Sequence, residues 1–240
     1  MAPAEDPWSE RAADLYEFFF DRDGAHRDAE RLHGLNRERT RGARSLLDVA
    51  CGTGWHLERL REWYEVEGVD RSPAMLRYAG GRLPDIALHE GDMRSFNLGR
   101  TFDVVSCLSS SIASMRSRQD LQRAVEAMGT HVRKGGLLLI EPWDFPANAP
   151  SDEPWVATKR APDRVVTLME TTTLDGDVWV QETHWLDRKR PAPIEHRVEV
   201  QALGAFEKTD YLEALDDAGF GVEFDLVGLL GRGLFIGTRR

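Results

Sequence analysis

The stretch Leu46-Leu47-Asp48-Val49-Ala50-Cys51-Gly52-Thr53-Gly54-Trp55-His56-Leu57 decides the fold. Its apolar run, from Ser45 to Ala50, reads as a buried strand. Gly52 and Gly54 make a tight turn, and Thr53 to Tyr64 reads as a helix with Leu57, Leu60 and Tyr64 on one face. Strand, glycine turn and helix form the ligand-binding corner of a doubly wound α/β sheet, where a ligand lies beyond the strand's C-terminal end. Glycine suits such a corner because a Cβ would block close approach of the ligand to the backbone. The dinucleotide fingerprint G-x-G-x-x-G is incomplete, since its third glycine position holds Leu57. No Lys-Ser/Thr pair follows to make a P-loop.

Two further strands complete the corner. Val66 to Val69 ends in Asp70, an acceptor for the two hydroxyls of a ribose. Ile86 to His89 runs into Glu90-Gly91-Asp92-Met93, where Asp92 can accept from an adenine amino group. The first strand with D-x-A-C-G-T-G, the second with a terminal acid and the third with G-D-M resemble the class I S-adenosylmethionine-dependent methyltransferases. The resemblance implies S-adenosyl-L-methionine as cofactor and a doubly wound, seven-stranded Rossmann-like sheet. It also implies a cofactor set of Tyr16, Asp48, Ala50, Gly52, Gly54, Asp70, Met75, Asp92, Met93 and Leu108.

Composition narrows the partners. The 240 residues carry 31 basic and 41 acidic side chains, a net charge of −10. That balance disfavours a nucleic-acid surface, which needs clustered Lys and Arg. The one basic stretch, Arg37 to Arg44, is interrupted by Glu38 and reads as a solvated helix end. Cys51 and Cys107 fall at the ends of buried strands and read as small buried thiols. With no close His cluster, the chain offers no metal site. Met1 to Asp6 has neither a basic nor an apolar leader region, and no run reaches membrane-spanning length, so a cytoplasmic protein without a membrane partner is expected.

Along the chain, Pro7 to Phe20 reads as an aromatic helix with Ser9 as N-cap, serving as a lid over the cofactor or as a face packed on the core. Ala25 to Arg39 reads as a second helix. Ser72-Pro73 caps a helix through Ala79. Thr101 to Leu108 is the fourth strand, and it delivers Ser110, Ser111 and Ser114 to the cofactor edge of the sheet. A helix over Gln119–Val132, closed by Lys134-Gly135-Gly136, leads to a fifth strand, Leu137 to Ile140. From 147 to 205 the pattern turns to alternation, as in Val178-Trp179-Val180-Gln181-Glu182-Thr183-His184-Trp185, which predicts antiparallel strands. The organisation expected is therefore a core of residues 1–146 and 206–240 with a small antiparallel β insertion, 147–205, over the active site. The core closes with a helix, Thr209 to Ala218, and an antiparallel pair, Phe220–Val227 with Leu234–Thr238.

Several stretches resemble a narrower group, the N,N-dimethyltransferases of nucleotide-linked 3-amino sugars. They are Ser45 to Gly54, His89-Glu90-Gly91-Asp92-Met93-Arg94, Glu141-Pro142-Trp143 with Phe145-Pro146, Glu182-Thr183-His184, and Gly231-Arg232-Gly233-Leu234-Phe235. The resemblance implies N-methylation of a small-molecule acceptor, a nucleotide-diphosphate deoxy-amino sugar of natural-product biosynthesis. The chain departs from the group at Ser114, where a histidine facing the amine is typical, at Ala25, where a tyrosine is expected, and at Asp144, where a second aromatic follows Glu141-Pro142.

Methyl transfer from a sulfonium is an in-line substitution, so the protein's main task is alignment, which can supply on the order of 7–11 kcal/mol. An amine acceptor must also be unprotonated, and a general base typically adds about 10²–10⁴-fold. His184 is the expected base, with Glu182 or Asp144 as substitutes. Arg232 is expected to pair with a diphosphate, since a guanidinium forks onto phosphate oxygens, and Trp143 to stack on a sugar or base. Alternatives are transfer to oxygen or to another metabolite's amine, and a module that binds the cofactor without chemistry. A homodimer whose N-terminal helix completes a neighbour's site is compatible with the chain.

Overall fold

Short apolar strands alternating with helices build the core in two halves. The computed structural model describes residues 9–148, 153–229 and 231–240. Helices α1 (Glu10–Phe19) and α2 (Arg22–Arg39) come first. The first half is β1 (Ser45–Val49), α3 (Trp55–Leu60), β2 (Glu65–Asp70), α4 (Pro73–Arg82) and β3 (Ala87–Glu90). The second is β4 (Phe102–Cys107), α5 (Arg118–Thr130) and β5 (Val132–Ile140). After β6 (Trp155–Arg160), β7 (Arg164–Asp175), β8 (Val178–Lys189) and β9 (Ile194–Gly204), the chain returns through α6 (Lys208–Asp217), β10 (Phe220–Asp225) and β11 (Leu234–Arg239).

The strands pair in the order β10-β11-β5-β4-β1-β2-β3. The five strands from β5 to β3 are parallel, and β11 runs antiparallel to both its neighbours. The order reverses between β1 and β4, which opens the crevice where such sheets hold ligands. Alternate residues of each strand go to opposite faces. Leu47, Val49, Val105, Leu138 and Ile140 pack against Leu121, Val125 and Met128 of α5 and Tyr211 and Leu215 of α6. Leu46, Val104, Leu137 and Leu139 pack against Ala29 and Leu32 of α2 and Leu57 and Leu60 of α3. Both faces are thus covered, which is why these strands read as continuous apolar runs.

The caps follow the sequence. Ser9 accepts from the Ala12 N–H, and Ser72 from the Met75 N–H with Pro73 at the first helical position. Several boundaries differ from expectation, α4 running on to Arg82 and β10 ending at Asp225 among them. The α3 helix is shorter than Thr53–Tyr64, because Gly54 stands at φ 83° as N-cap and Arg61 to Tyr64 turn off after it. β5 begins at Val132 rather than Leu137. The Lys134-Gly135-Gly136 segment bulges within it, where a Cβ on Gly136 would stand 2.7 Å from the Asp103 carbonyl oxygen. α2 starts three residues earlier than Ala25, at an Asp21 cap whose side chain accepts from Asp23. The expected helix start at Pro7, the segment Met1–Asp6 and residues 149–152 of the insertion lie outside the described residues. Cys51 and Cys107 are buried and free, and among the described residues no helix is long and apolar enough to cross a membrane.

Strands β6 to β9 form a separate antiparallel sheet in sequence order. Two apolar seams fix it over the crevice. Val166, Leu168 and Trp185 pack on Leu15, Phe18 and Phe19 of α1. Trp179 and Leu203 pack on Ala113, next to the end of β4. At the second seam a Cβ on Gly204 would lie 2.3 Å from the Met115 carbonyl oxygen, so only glycine permits that approach. The opposite side of α1 packs on α4 through Ala13 and Tyr16 against Ala74, Met75 and Tyr78. The aromatic helix is therefore a packing face toward both the inserted sheet and α4. The buried Arg164 guanidinium joins it to the sheet, 2.6 Å from Asp14 of α1 and 2.8 Å from Asp187 of β8.

Candidate active site

A cavity of about 530 Å³ lies between the C-terminal ends of β1, β2, β3 and β4 and the inner face of the inserted sheet. Its first half is the glycine corner. Ala50 and Gly52 take φ values of 60° and 55°, a left-handed conformation that costs a non-glycine residue about 1–2 kcal/mol. The turn is tied to β2: the Cys51 N–H donates to the Val69 carbonyl, and the Gly52 N–H to Asp70 Oδ2 at 2.8 Å. The Ser72 N–H donates to Asp70 Oδ1, also at 2.8 Å. Asp70 is thereby fixed at the junction of the turn and α4, with the Arg71 backbone N–H also favouring its charge.

Burial pushes the Asp70 carboxyl up, against the backbone hydrogen bonds from Ser72 and Gly52 that favour its charge. Asp48 is more strongly affected. Burial, with a further push from the charge of Asp70, raises it to about 7, although the Ser106 hydroxyl donates to it at 2.8 Å. Asp92 goes the other way: Arg94 folds back onto it and holds its carboxyl below the usual range. Tyr16 stacks on Trp55 with ring centroids 5.5 Å apart. Burial and the nearby carboxylates Glu17, Asp70 and Asp48 push its phenol to about 12. His56 also lines the cavity, and burial, assisted by His26, pulls it down to about 4, so it is neutral.

This half fits the cofactor expected from the sequence. A Cβ at Gly52 would meet nothing within 4 Å. Asp48 and Asp70 present carboxyl groups to a cation, and Met75, Met93 and Leu108 supply buried apolar contact.

The second half is bounded by the turn after β4. Ser109 and Ser110 both stand in the left-handed region, at φ 51° and 57°. Glu141, buried at the end of β5, clamps them: its carboxyl accepts from the Ser109 N–H at 2.8 Å. The Ser110 hydroxyl donates to the Pro142 carbonyl at 2.7 Å, which turns that side chain away, and Ser111 and Ser114 line the cavity. The roof comes from the inserted sheet, whose odd-numbered β8 residues Gln181, Thr183 and Trp185 line the cavity with Glu170 of β7 and Glu199 and Gln201 of β9.

Of the residues expected from the sequence, Tyr16, Asp48, Ala50, Gly52, Asp70, Met75, Asp92, Met93, Leu108, Ser111 and Ser114 line this one cavity. Gly54 does not. It packs α3 against α4, where a Cβ would stand 3.1 Å from Ala79 and Leu83. Trp143, Asp144 and Arg232 form a group of their own. The guanidinium lies 4.6 Å over the Trp143 ring, 3.5 Å from Asp144 and 3.4 Å from the Ser110 hydroxyl.

The expected base is a correction. His184 and Glu182 are even-numbered residues of β8 and stand on the face opposite the cavity. There His184 Nε2 meets Glu182 at 2.7 Å and Nδ1 meets His196 at 3.0 Å. Period-two alternation puts Thr183, between them, on the inside. The signal that could have found this lay in the register itself. Trp179 and Trp185 share the odd positions, and two tryptophans mark the buried face. Glu170 and Glu199 carried no such flag in the sequence, and Glu141 was visible only as part of a motif.

Residues 46–136 match the family described as a methyltransferase domain. The chain is 38% identical over 233 residues to the dTDP-3-amino-3,6-dideoxy-alpha-D-glucopyranose N,N-dimethyltransferase of Streptomyces fradiae, covering 96% of this chain and 91% of the relative. It is 36% identical to the dTDP-4-amino-2,3,4,6-tetradeoxy-D-glucose N,N-dimethyltransferase of Saccharopolyspora spinosa, over 100% of this chain and 97% of that one. Among solved structures, the fold matches S-adenosylmethionine-bound CalS10, an amino pentose methyltransferase from Micromonospora echinaspora. The TM-score is 0.86 and the identity 34%, over 99% of this chain and 100% of the other.

Proposed function

The chain belongs to the S-adenosylmethionine-dependent methyltransferases, in the group of the amino-sugar N,N-dimethyltransferases, and from that premise we propose that it methylates the amino group of a nucleotide-linked deoxy-amino sugar. S-adenosylmethionine supplies a methyl group on a positively charged sulfur, ready for transfer to a lone pair. The observation that carries the reading is the division of one cavity between a corner that fits this cofactor and a polar roof of Glu170, Gln181, Thr183, Glu199 and Gln201. In this reading residues 1–146 and 206–240 hold the cofactor and 147–205 cover the acceptor.

Toward the cofactor, Asp70 accepts from the ribose hydroxyls and Asp92 from the adenine amino group. Asp48 lies toward the cation, and Tyr16 closes the site from α1. Toward the acceptor, Ser111 and Ser114 border the transfer path. Arg232 takes a phosphate oxygen of the nucleotide diphosphate, and the Trp143 ring beneath it fixes the guanidinium plane. The acceptor is a small molecule and not a nucleic acid, in keeping with the net charge of −10, and the protein is read as cytoplasmic. A homodimer is part of the proposal, supported by apolar side chains exposed on the insertion: Met169, Leu186, Ile194 and Val200.

Mass spectrometry tests the reading. The protein, S-adenosylmethionine and either dTDP-3-amino-3,6-dideoxy-α-D-glucopyranose or a dTDP-4-amino sugar should yield an acceptor carrying two additional methyl groups, while the corresponding hydroxyl sugars stay unchanged. Methylation of a hydroxyl sugar, or of neither amine, refutes it.

A further inference from the structure

An amine at neutral pH arrives as an ammonium ion and has no lone pair to offer. Something in the cavity must draw that ion in and take its proton. In the reading above the carboxyl groups on the cofactor side serve the cofactor, Asp70 its ribose, Asp92 its adenine and Asp48 its cation. Each also has a partner in the chain: the glycine turn, Arg94 and Ser106 respectively. Asp120 lies 3.5 Å from the same Arg94. His56 is neutral and offers an ammonium no charge.

The roof is different. Register pairing aligns Glu170 of β7, Thr183 of β8 and Glu199 of β9 in one row across the sheet, and all three line the cavity. The two carboxyl groups of that row have unlike neighbours. Glu199 is ion-paired with the buried Arg197 at 2.9 Å. Glu170 is held chiefly by neutral donors: the Thr183 hydroxyl at 3.0 Å and the Gln181 side chain, with the Arg232 cation acting from the neighbouring loop. Ser111 and Ser114 face the same space from the turn after β4.

We propose that the Glu170 carboxylate binds the acceptor's ammonium group and takes the proton it must lose before it can be methylated. This rests on the amine reading above. The N–H bond breaks, an O–H bond forms on Glu170, and the electron pair of the broken bond stays on nitrogen as the lone pair that receives the methyl group. The proton leaves to water when the product does. Thr183 and Gln181 are positioning residues that aim the carboxylate. Burial raises the carboxyl above its ordinary value, against the Thr183 hydrogen bond and the charge of Arg232, which brings its proton affinity closer to that of an amine.

Glu170→Gln keeps the shape and an oxygen for Thr183 but removes the charge. With dTDP-3-amino-3,6-dideoxy-α-D-glucopyranose as probe, kcat/KM at pH 7 should fall by about 10²–10⁴-fold. The deficit should shrink as pH rises and the amine loses its proton to solvent. Calorimetry should show weaker binding of the same sugar at pH 7 and unchanged S-adenosylmethionine affinity. Glu170→Asp, which retains the charge further from the amine, should fall between the two. A Glu170→Gln profile parallel to wild type at every pH overturns the proposal, as does a deficit that high pH does not relieve. If wild type methylates no amino sugar, the functional reading itself falls, and the role of Glu170 toward an amine with it.

Discussion

Removing Glu141 should loosen the turn that carries the acceptor-side serines while leaving the cofactor corner intact. Its carboxyl accepts from the Ser109 N–H, in a turn where Ser109 and Ser110 are both left-handed. Glu141→Ala leaves that N–H without its acceptor, a loss of about 1–3 kcal/mol. For a chain of this size, that lowers the melting temperature by roughly 2–12 °C. Each serine that relaxes to negative φ regains about 1–2 kcal/mol, so the freed turn moves and takes Ser111 and Ser114 with it. Calorimetric melting and steady-state kinetics are the assays. KM for the amino sugar should rise while the S-adenosylmethionine affinity stays near wild type. Glu141→Gln, which retains an acceptor oxygen, should lose less. Ser109→Gly in the Glu141→Ala background should recover part of the kinetic loss, because glycine holds φ 51° without strain. A Glu141→Ala protein with wild-type melting and wild-type acceptor kinetics would show that the turn is held by something else.

Other outcomes follow from the same geometry. Asp48 has a folded pKa of about 7 against an ordinary 3.8, so the folded chain binds more protons than the unfolded one and its stability declines as pH rises from about 4 to 7. Asp48→Asn should remove that decline, worth on the order of 4 kcal/mol at most, in cofactor-free melts recorded across this range; an unchanged slope would refute it. Arg164→Ala strands Asp187 and unfastens α1 from the inserted sheet. A loss of about 3–5 kcal/mol is expected, with protease cleavage at α1 rising in limited digestion, and an α1 as resistant as wild type would count against the fastening. His184→Ala alters only the outer face of the roof, and its kcat should stay within about twofold of wild type, well short of the 10²–10⁴-fold owed to a general base.

The fold was legible because its two signals are strong and local. Ser45–Ala50 with Gly52 and Gly54 specifies a buried strand and a left-handed turn, and the acid at Asp70 specifies where the next strand ends. These positions answer to backbone geometry, and few residue types satisfy it. The acceptor side was less legible for a physical reason. A strand shows its period in sequence but not its phase, and in β8 both sets carry polar residues: Gln181 and Thr183 on one, Glu182 and His184 on the other. Choosing the histidine for its chemistry selected the wrong face, when the bulk of Trp179 and Trp185 gave the phase. Glu170 and Glu199 become neighbours only through pairing across three strands, which no local window contains. Arg232 was visible as a motif member, but its approach to Ser110 depends on a turn strained at two serines.

The two seams that seat the inserted sheet have a consequence for how acceptor preference can be inherited. The sheet is continuous in sequence, yet half of each seam belongs elsewhere: Leu15 and Phe19 lie far upstream, and Ala113 lies between β4 and α5. A recombination event that exchanged only residues 155–204 between relatives would set a new roof on old footings and misalign both. The unit that must travel together is three separated pieces, so acceptor preference in this architecture should drift by substitution more readily than it jumps by exchange, and chimaeras should fold only when α1 and the turn after β4 accompany the sheet.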